Sequence, residues 1–161
     1  MRKIITLMIL IATFAMESKA QILTPVKWNV TCKKVSEGVY DIISTATIDA
    51  GWHMYDVKLP EGGPLSTSFN LYKDETSGVT LIGEFKATTK AEVEKSEAFD
   101  MDVRFFEKTV IFIQRIKVKD DKGVISGYIE FMACSGGQCI PPGEAEFEFK
   151  FPYTEPVAKK K

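Results

Sequence analysis

Two cysteines near the C-terminal end are the strongest candidates for chemistry in this sequence. Cys134 and Cys139 are separated by four residues within Ala-Cys-Ser-Gly-Gly-Gln-Cys-Ile-Pro-Pro, which spans positions 133–142. Cysteines at this spacing can form a disulfide that an incoming thiolate opens again. The Gly-Gly pair is typical of a tight turn, and alternating apolar residues on both sides predict antiparallel strands. We therefore expect a disulfide at the exposed tip of a hairpin.

Such a disulfide has two interpretations, and the spacing alone leaves both open. A ring of six residues contributes only about 2 kcal/mol of stability in the chain-entropy model, near the low end of the usual range. A bridge between distant segments would stabilise more, so a short ring at an accessible tip favours a redox-active pair. The alternative is a non-catalytic immunoglobulin-like binding module that recognises a partner through its loops and carries an inert structural disulfide.

The other candidate residues carry weaker signals. Cys32 shares an alternating register with Val26, Trp28 and Val30, so we expect it to lie in the core as a small hydrophobe. The single histidine, His53, could join the cysteine pair in a zinc or copper carrier, but the spacings match no structural zinc motif. No Ser-His-Asp set, phosphate loop or carboxylate pair stands out. We expect no metal and no cofactor besides the redox-active disulfide.

The N-terminus has the features of a cleavable export signal. Arg2 and Lys3 precede an almost unbroken apolar run over residues 4–16, and small residues end at Ala20. This arrangement predicts a signal peptide over residues 1–20. No later run approaches the roughly 20 apolar residues that a membrane span needs. We therefore expect a protein without stable membrane insertion that is exported to the periplasm, with secretion from the cell as the alternative.

Length and charge limit the functions that the exported chain can have. Removing residues 1–20 takes three Lys/Arg and one Glu from totals of 21 and 22, which leaves 18 basic and 21 acidic residues. This slightly acidic balance argues against nucleic acid as a partner. The remaining chain is long enough for one domain, expected over residues 21–152, with a core that does not depend on a disulfide. A charged, flexible tail is expected over residues 153–161.

Alternating apolar and polar residues dominate the rest of the chain and predict seven or eight short strands. The expected strands lie within Val26–Cys32, Tyr40–Ile48, Trp52–Leu59, Ser66–Tyr72, Val79–Phe85, Val110–Val118, Ile125–Ala133 and Ala145–Phe151. Hairpin-sized connections between them predict an all-β, immunoglobulin-like antiparallel β-sandwich. The charged stretch from Ala87 to Arg104 fits no strand, and we expect either a short helix over Lys90–Phe99 or a long loop.

Three parts of the sequence resemble a known family. The segment from Ala46 to Tyr55, the strand from Phe105 to Val118 and the Cys-Ser-Gly-Gly-Gln-Cys-Ile-Pro-Pro run are similar to the N-terminal periplasmic domain of the thiol:disulfide interchange protein DsbD. The resemblance runs from about Val26 to Phe151. It implies an immunoglobulin-like domain whose cysteine pair takes electrons from a membrane-embedded thiol reductase. The resemblance further implies that the pair passes these electrons to periplasmic thioredoxin-fold proteins, including disulfide isomerases and cytochrome c maturation factors.

The resemblance also implies roles for individual residues. Cys139 matches the cysteine that forms mixed disulfides with partners, and Cys134 matches the resolving cysteine. Phe99 matches a phenylalanine of the family's cap loop, which covers the pair until a partner displaces it. Glu97 matches an acidic position of that loop. The family has a second acidic position where this chain has Ala98, so we do not expect the loop to keep the family's full proton-handling role. Tyr55 and Trp52 match aromatic positions near the pair, although either could equally be a core aromatic.

The full-length relatives continue into a membrane domain and a thioredoxin-like domain, and the resemblance here ends with the sandwich. We therefore expect a separate polypeptide to supply electrons. On this interpretation the protein is a component of a protein-disulfide reductase system that acts by thiol–disulfide exchange.

Overall fold

Strands make up most of the structure, a computed structural model that describes residues 23–97 and 99–154. The predicted signal peptide, Ala98 and residues 155–161 of the predicted tail lie outside these residues. Twelve strands are present in the described part: β1 Val26–Ser36, β2 Val39–Ile48, β3 His53–Tyr55, β4 Ser68–Leu71, β5 Val79–Ala87, β6 Glu92–Ser96, β7 Met101–Phe106, β8 Thr109–Val118, β9 Gly123–Phe131, β10 Ala133–Ser135, β11 Gln138–Cys139 and β12 Gly143–Phe151.

The strands form three antiparallel sheets. The first sheet has the order β1-β2-β8-β5, the second β11-β10-β3-β7-β6, and the third β12-β9-β4. Every strand-to-strand pairing in them is antiparallel. The described residues therefore form an all-β, immunoglobulin-like sandwich, and the predicted fold class is confirmed.

The first and third sheets face each other across the larger part of the core. Ile42 and Ile116 of the first sheet are fully buried and share one hydrophobic cluster with Ile129 and Phe147 of the third. Their alternation with polar residues along each strand is the period-2 signal of a sheet with one buried face. Cys32 lies in this cluster with 2% of its surface exposed, which confirms its predicted place in the core.

The central strands of the second sheet carry buried side chains on both faces. Met54, Phe106 and Ala133 belong to the cluster that packs on the first sheet. Their chain neighbours Tyr55, Phe105 and Cys134 belong to a separate, smaller cluster on the opposite face. Because successive side chains of a strand point to opposite faces, the main core stays continuous while the disulfide lies outside it.

The charged stretch from Ala87 to Arg104 is neither a helix nor a loop. Its residues form the hairpin of β6 and β7, in which Glu92 pairs with Phe105 and Ser96 with Met101. The sequence prediction was wrong because β6 is an edge strand whose first four residues are exposed. A strand exposed on both faces carries no alternation of apolar and polar residues. This hairpin and the two short strands around the disulfide raise the strand count above the predicted seven or eight.

Side-chain packing at the end of the described chain extends beyond residue 152, the predicted domain boundary. The ring of Tyr153 lies 5.5 Å from that of Phe149 and 6.4 Å from that of Phe151, between centroids. Packed side chains therefore continue one residue into the segment expected to be a tail. No helix within residues 23–97 and 99–154 is long and apolar enough to cross a membrane.

Candidate functional site: a disulfide at the edge of the second sheet

Cys134 and Cys139 form the disulfide between β10 and β11. The two residues are directly opposed in the strand register, and their Cα atoms are 4.0 Å apart. The amide of Ile140 donates a 3.0 Å hydrogen bond to the carbonyl of Ala133, on the outer side of the pair. This pattern marks a non-hydrogen-bonded pair, in which facing side chains come closest. The ladder itself therefore places the two sulfur atoms within bonding reach.

The turn that joins the two strands explains the Gly-Gly pair. Gly136 and Gly137 have φ values of 53° and 82°, as the two central residues of a type I′ hairpin turn require. A Cβ atom added at either position would meet nothing within 4 Å. Glycine is therefore favoured by backbone conformation rather than by lack of space. The predicted position of the disulfide at a hairpin tip is correct.

The two cysteines differ in exposure. Cys134 retains 3% of its accessible surface, whereas Cys139 is only partly buried. Both line a groove of about 340 Å³ on the outer face of the second sheet. An incoming thiolate or disulfide approaches through solvent, so Cys139 is the residue that a partner can reach more readily.

Phe99 lies beside this groove, at the turn between β6 and β7. Its ring is perpendicular to the ring of Tyr55, with centroids 6.4 Å apart, and it packs against the cluster that contains Cys134. The next residue, Asp100, has a φ of 49°, a left-handed conformation typical of tight turns. The structure thus brings the predicted cap residue to the edge of the disulfide groove, as a covering role would require.

The remaining predicted site residues divide into two groups. Tyr55, 2% exposed, and the exposed Glu97 line the groove together with the cysteine pair. Trp52 instead packs against the main core cluster on the other face of the second sheet. Of the two aromatic residues proposed for the neighbourhood of the pair, the structure therefore brings only Tyr55 to the groove.

His53 also lies in the groove, and the sequence analysis had placed it beside the cysteine pair only in the metal-carrier alternative. It pairs directly with Cys134 in the register of β3 and β10 and lines the same groove. Its Nε2 atom lies 3.3 Å from the hydroxyl oxygen of Tyr55, and its ring centroid lies 5.1 Å from that of Phe105. Burial lowers the pKa of His53 below its ordinary value, and the nearby carboxylates of Glu107 and Glu94 oppose part of that shift.

A buried polar network fixes Tyr55. The hydroxyl of Thr67 donates a 2.5 Å hydrogen bond to the carbonyl of Tyr55, and the amide of Tyr55 donates to the carbonyl of Met132. The next residue, Asp56, is 4% exposed and accepts a 2.9 Å hydrogen bond from the Nε of Arg104 on β7. These contacts tie β3 to β7 and to the start of β10, so the aromatic wall beside the disulfide has a defined position.

The metal-carrier alternative would need Cys134, Cys139 and His53 to act together as ligands. Among the residues that it describes, no group of three or more His, Cys, Asp and Glu side chains is arranged to hold a metal ion. His53 lies beside the cysteine pair, yet both cysteines are engaged in the disulfide, and metal binding requires thiolates.

The fold and the site together define an antiparallel β-sandwich domain that carries a partly accessible disulfide on the outer face of one sheet. A family model described as the N-terminal part of the thiol:disulfide interchange protein DsbD matches residues 19–150. The chain belongs to this family, as its resemblance predicted. Family membership and the Cys134–Cys139 disulfide together support a part in thiol–disulfide interchange.

A solved structure shows the same fold. The N-terminal periplasmic domain of ScsB from Proteus mirabilis matches with a TM-score of 0.59 at 17% identity, covering 80% of this chain and 47% of that one. This chain thus spans about half of the ScsB chain. The N-terminal domain of Neisseria meningitidis DsbD in its reduced form matches with a TM-score of 0.47 at 16% identity, covering 75% of this chain and 83% of that one. A search of curated proteins found no match.

Proposed function

We propose that this protein relays reducing equivalents through Cys134 and Cys139, from a membrane-embedded thiol reductase to periplasmic thioredoxin-fold proteins. The observation that carries the proposal is the unequal exposure of the two cysteine residues within one groove. An exchange protein needs one thiol that a partner can reach and a second that stays close enough to release the partner. Cys139 meets the first requirement, and Cys134 meets the second.

The proposed reaction proceeds in two exchange steps. In the reduced protein the Cys139 thiolate attacks a partner disulfide, which forms a mixed disulfide and releases one partner thiolate. Cys134 then attacks the Cys139 sulfur, which forms the intramolecular disulfide and releases the second partner thiolate. The partner gains two electrons, and this protein loses two. The membrane-embedded donor restores the dithiol by the same chemistry in reverse.

The proposed location is the periplasm, to which a signal peptide over residues 1–20 would direct the chain. Family membership supports the location, and so does the shared fold with a ScsB domain that is described as periplasmic. Partner disulfides persist in oxidising compartments such as the periplasm and are rare in the reducing cytosol. Disulfide isomerases and cytochrome c maturation factors are the proposed acceptors.

We assign the covering role to Phe99. Its ring lies at the groove edge against Tyr55, where it would shield the reduced pair from unsuitable oxidants between encounters. Tyr55 would support the cap from below, and Glu97 would contribute negative charge at the groove mouth. Trp52, on the opposite face, would act only by holding the second sheet on the main core.

Covalent trapping in the native periplasm tests the relay. A Cys134→Ala variant keeps the accessible cysteine and lacks the resolving one, so we expect mixed disulfides between Cys139 and thioredoxin-fold proteins. These should disappear on reduction and be absent from a Cys139→Ala control. Cys32 is present in both variants and is buried, so it does not distinguish them. An absence of covalent partners, or the same partners in both variants, would refute the relay.

Redox titration separates the relay from the binding-module alternative. A pair that exchanges with thioredoxin-fold proteins should titrate well above about −300 mV, the range typical of labile or catalytic disulfides. A disulfide that resists reduction to potentials below that value would instead indicate an inert structural bridge.

A further inference from the structure

Three side chains on neighbouring strands form a row across the second sheet. His53 on β3 is paired with Cys134 on β10, and Cys134 is paired with Cys139 on β11. Directly paired residues of antiparallel strands point to the same face, with Cβ atoms about 4.5–5.5 Å apart. Consistent with this, all three residues line one groove. The buried cysteine thus lies between the accessible cysteine and the imidazole.

This position matters because the second exchange step needs a thiolate at Cys134. Cys134 is 3% exposed and packs with Tyr55, Val103 and Phe105. Apolar surroundings disfavour a thiolate, which is the reactive form of cysteine. Solvent reaches this residue poorly, so a neighbouring side chain is better placed than water to accept the proton of its thiol. His53 is the residue directly opposite.

We propose that His53 accepts the proton of the Cys134 thiol as that sulfur attacks the mixed disulfide at Cys139. The new Cys134–Cys139 bond forms while the bond between Cys139 and the partner breaks. The partner sulfur leaves as a thiolate, and the imidazolium of His53 returns the proton to it or to solvent. The inference rests on the proposed exchange function and adds a residue and a proton route to it.

The groups around His53 suit this role. Burial lowers the pKa of His53, so the imidazole is neutral at pH 7 and able to accept a proton. The hydroxyl of Tyr55 lies 3.3 Å from Nε2 and orients the ring. The carboxylates of Glu107 and Glu94 stabilise the imidazolium once it forms. The other charged groups that line the groove are Lys95 and Glu97.

Single-turnover oxidation of the reduced protein by dithiobis-nitrobenzoate resolves the two exchange steps. The first equivalent of coloured thionitrobenzoate reports attack by Cys139, and the second reports resolution by Cys134. A Cys134→Ala variant should release only the first equivalent, which assigns the phases. The test variants are His53→Gln, which keeps hydrogen bonding, and His53→Tyr, which keeps an aromatic ring. Neither side chain accepts a proton at pH 7.

We expect both His53 variants to slow the second phase about tenfold or more at pH 7, a modest effect for proton transfer to a positioned base. The first phase should keep its rate. In the wild-type protein the second phase should fall as the pH drops through the pKa of His53, because the protonated imidazole accepts no proton. In the variants that inflection should vanish, so the rate follows only the ionisation of the thiol.

Unchanged rates and pH profiles of the second phase in both variants would overturn the role of His53. Equal slowing of both phases would also overturn it, because that pattern indicates a general disturbance of the groove. Failure of the proposed function looks different: the wild-type protein would still show both phases with this reagent, because Cys134 and Cys139 can form their disulfide, but Cys134→Ala would trap no thioredoxin-fold partner in the periplasm. The variant that better retains the native circular dichroism spectrum decides the comparison.

Discussion

The ring of Phe99 is perpendicular to the ring of Tyr55 at a centroid distance of 6.4 Å, and both rings line the groove of the Cys134–Cys139 disulfide. The contact joins the turn of the β6–β7 hairpin to the face of β3. An edge-to-face aromatic pair contributes about 0.5–1.5 kcal/mol beyond its buried area. Such a contact is strong enough to favour a closed groove and weak enough for a docking partner to break.

Removal of the Phe99 ring should open the groove. We expect Phe99→Ala to raise the alkylation rate of the reduced Cys139 by a small alkylating reagent, by up to about tenfold, given the size of one aromatic contact. Mass spectrometry of the alkylated protein over time measures the rate. Phe149→Ala is a matched control, because Phe149 is a partly buried phenylalanine in a different cluster. Equal rates in wild type and Phe99→Ala would mean that Phe99 covers nothing.

Loss of the disulfide should leave the fold intact. The two larger core clusters do not include Cys134 or Cys139, and the six-residue ring contributes only about 2 kcal/mol. We expect a Cys134→Ala/Cys139→Ala double variant to unfold cooperatively in urea, with its free energy of unfolding lowered by about that amount. Collapse of the native circular dichroism signal would show instead that the bridge holds the domain together.

The ion pair between Asp56 and Arg104 should stabilise the folded domain that holds the site. The side chain of Asp56 is 5% exposed and that of Arg104 is 49% exposed. Arg104→Met would leave a buried carboxylate without its charge partner, so we expect a loss of about 1–3 kcal/mol, less than for a fully buried pair. Urea denaturation measures it. Lys58→Met breaks an ion pair with Glu84 in which both side chains are mostly exposed, and this control should change stability little.

Alkaline pH should destabilise the protein through Tyr40. Burial, together with the 2.5 Å hydrogen bond that its hydroxyl donates to Asp121, raises the pKa of Tyr40 to about 12. The unfolded chain releases this proton near pH 10, whereas the folded protein retains it. Stability from this group is therefore complete below pH 10 and is lost as the pH rises towards 12. Urea unfolding at several pH values should show a smaller alkaline decline for Tyr40→Phe, and an identical decline would contradict this origin.

The sequence determined the sandwich, because a strand with one buried and one exposed face has apolar residues at every second position. Phe147 and Phe151 alternate with exposed charged residues on β12, as predicted. The cysteine hairpin could also be predicted from the sequence. The turn between Cys134 and Cys139 is local, and its Gly-Gly pair specifies the backbone conformation. Local pattern failed at β6, where an edge strand exposed on both faces left no periodic signal.

The surroundings of the cysteine pair were decided only by the tertiary structure. His53 lies 81 positions before Cys134 in the sequence, and only the pairing of β3 with β10 makes them neighbours. The same strand sends Met54 into the main core and Tyr55 to the disulfide groove. Pairing between distant strands depends on how all their faces pack together, and no short segment contains that information. The sequence therefore identified the reactive pair, and the register of the second sheet determined which residues surround it.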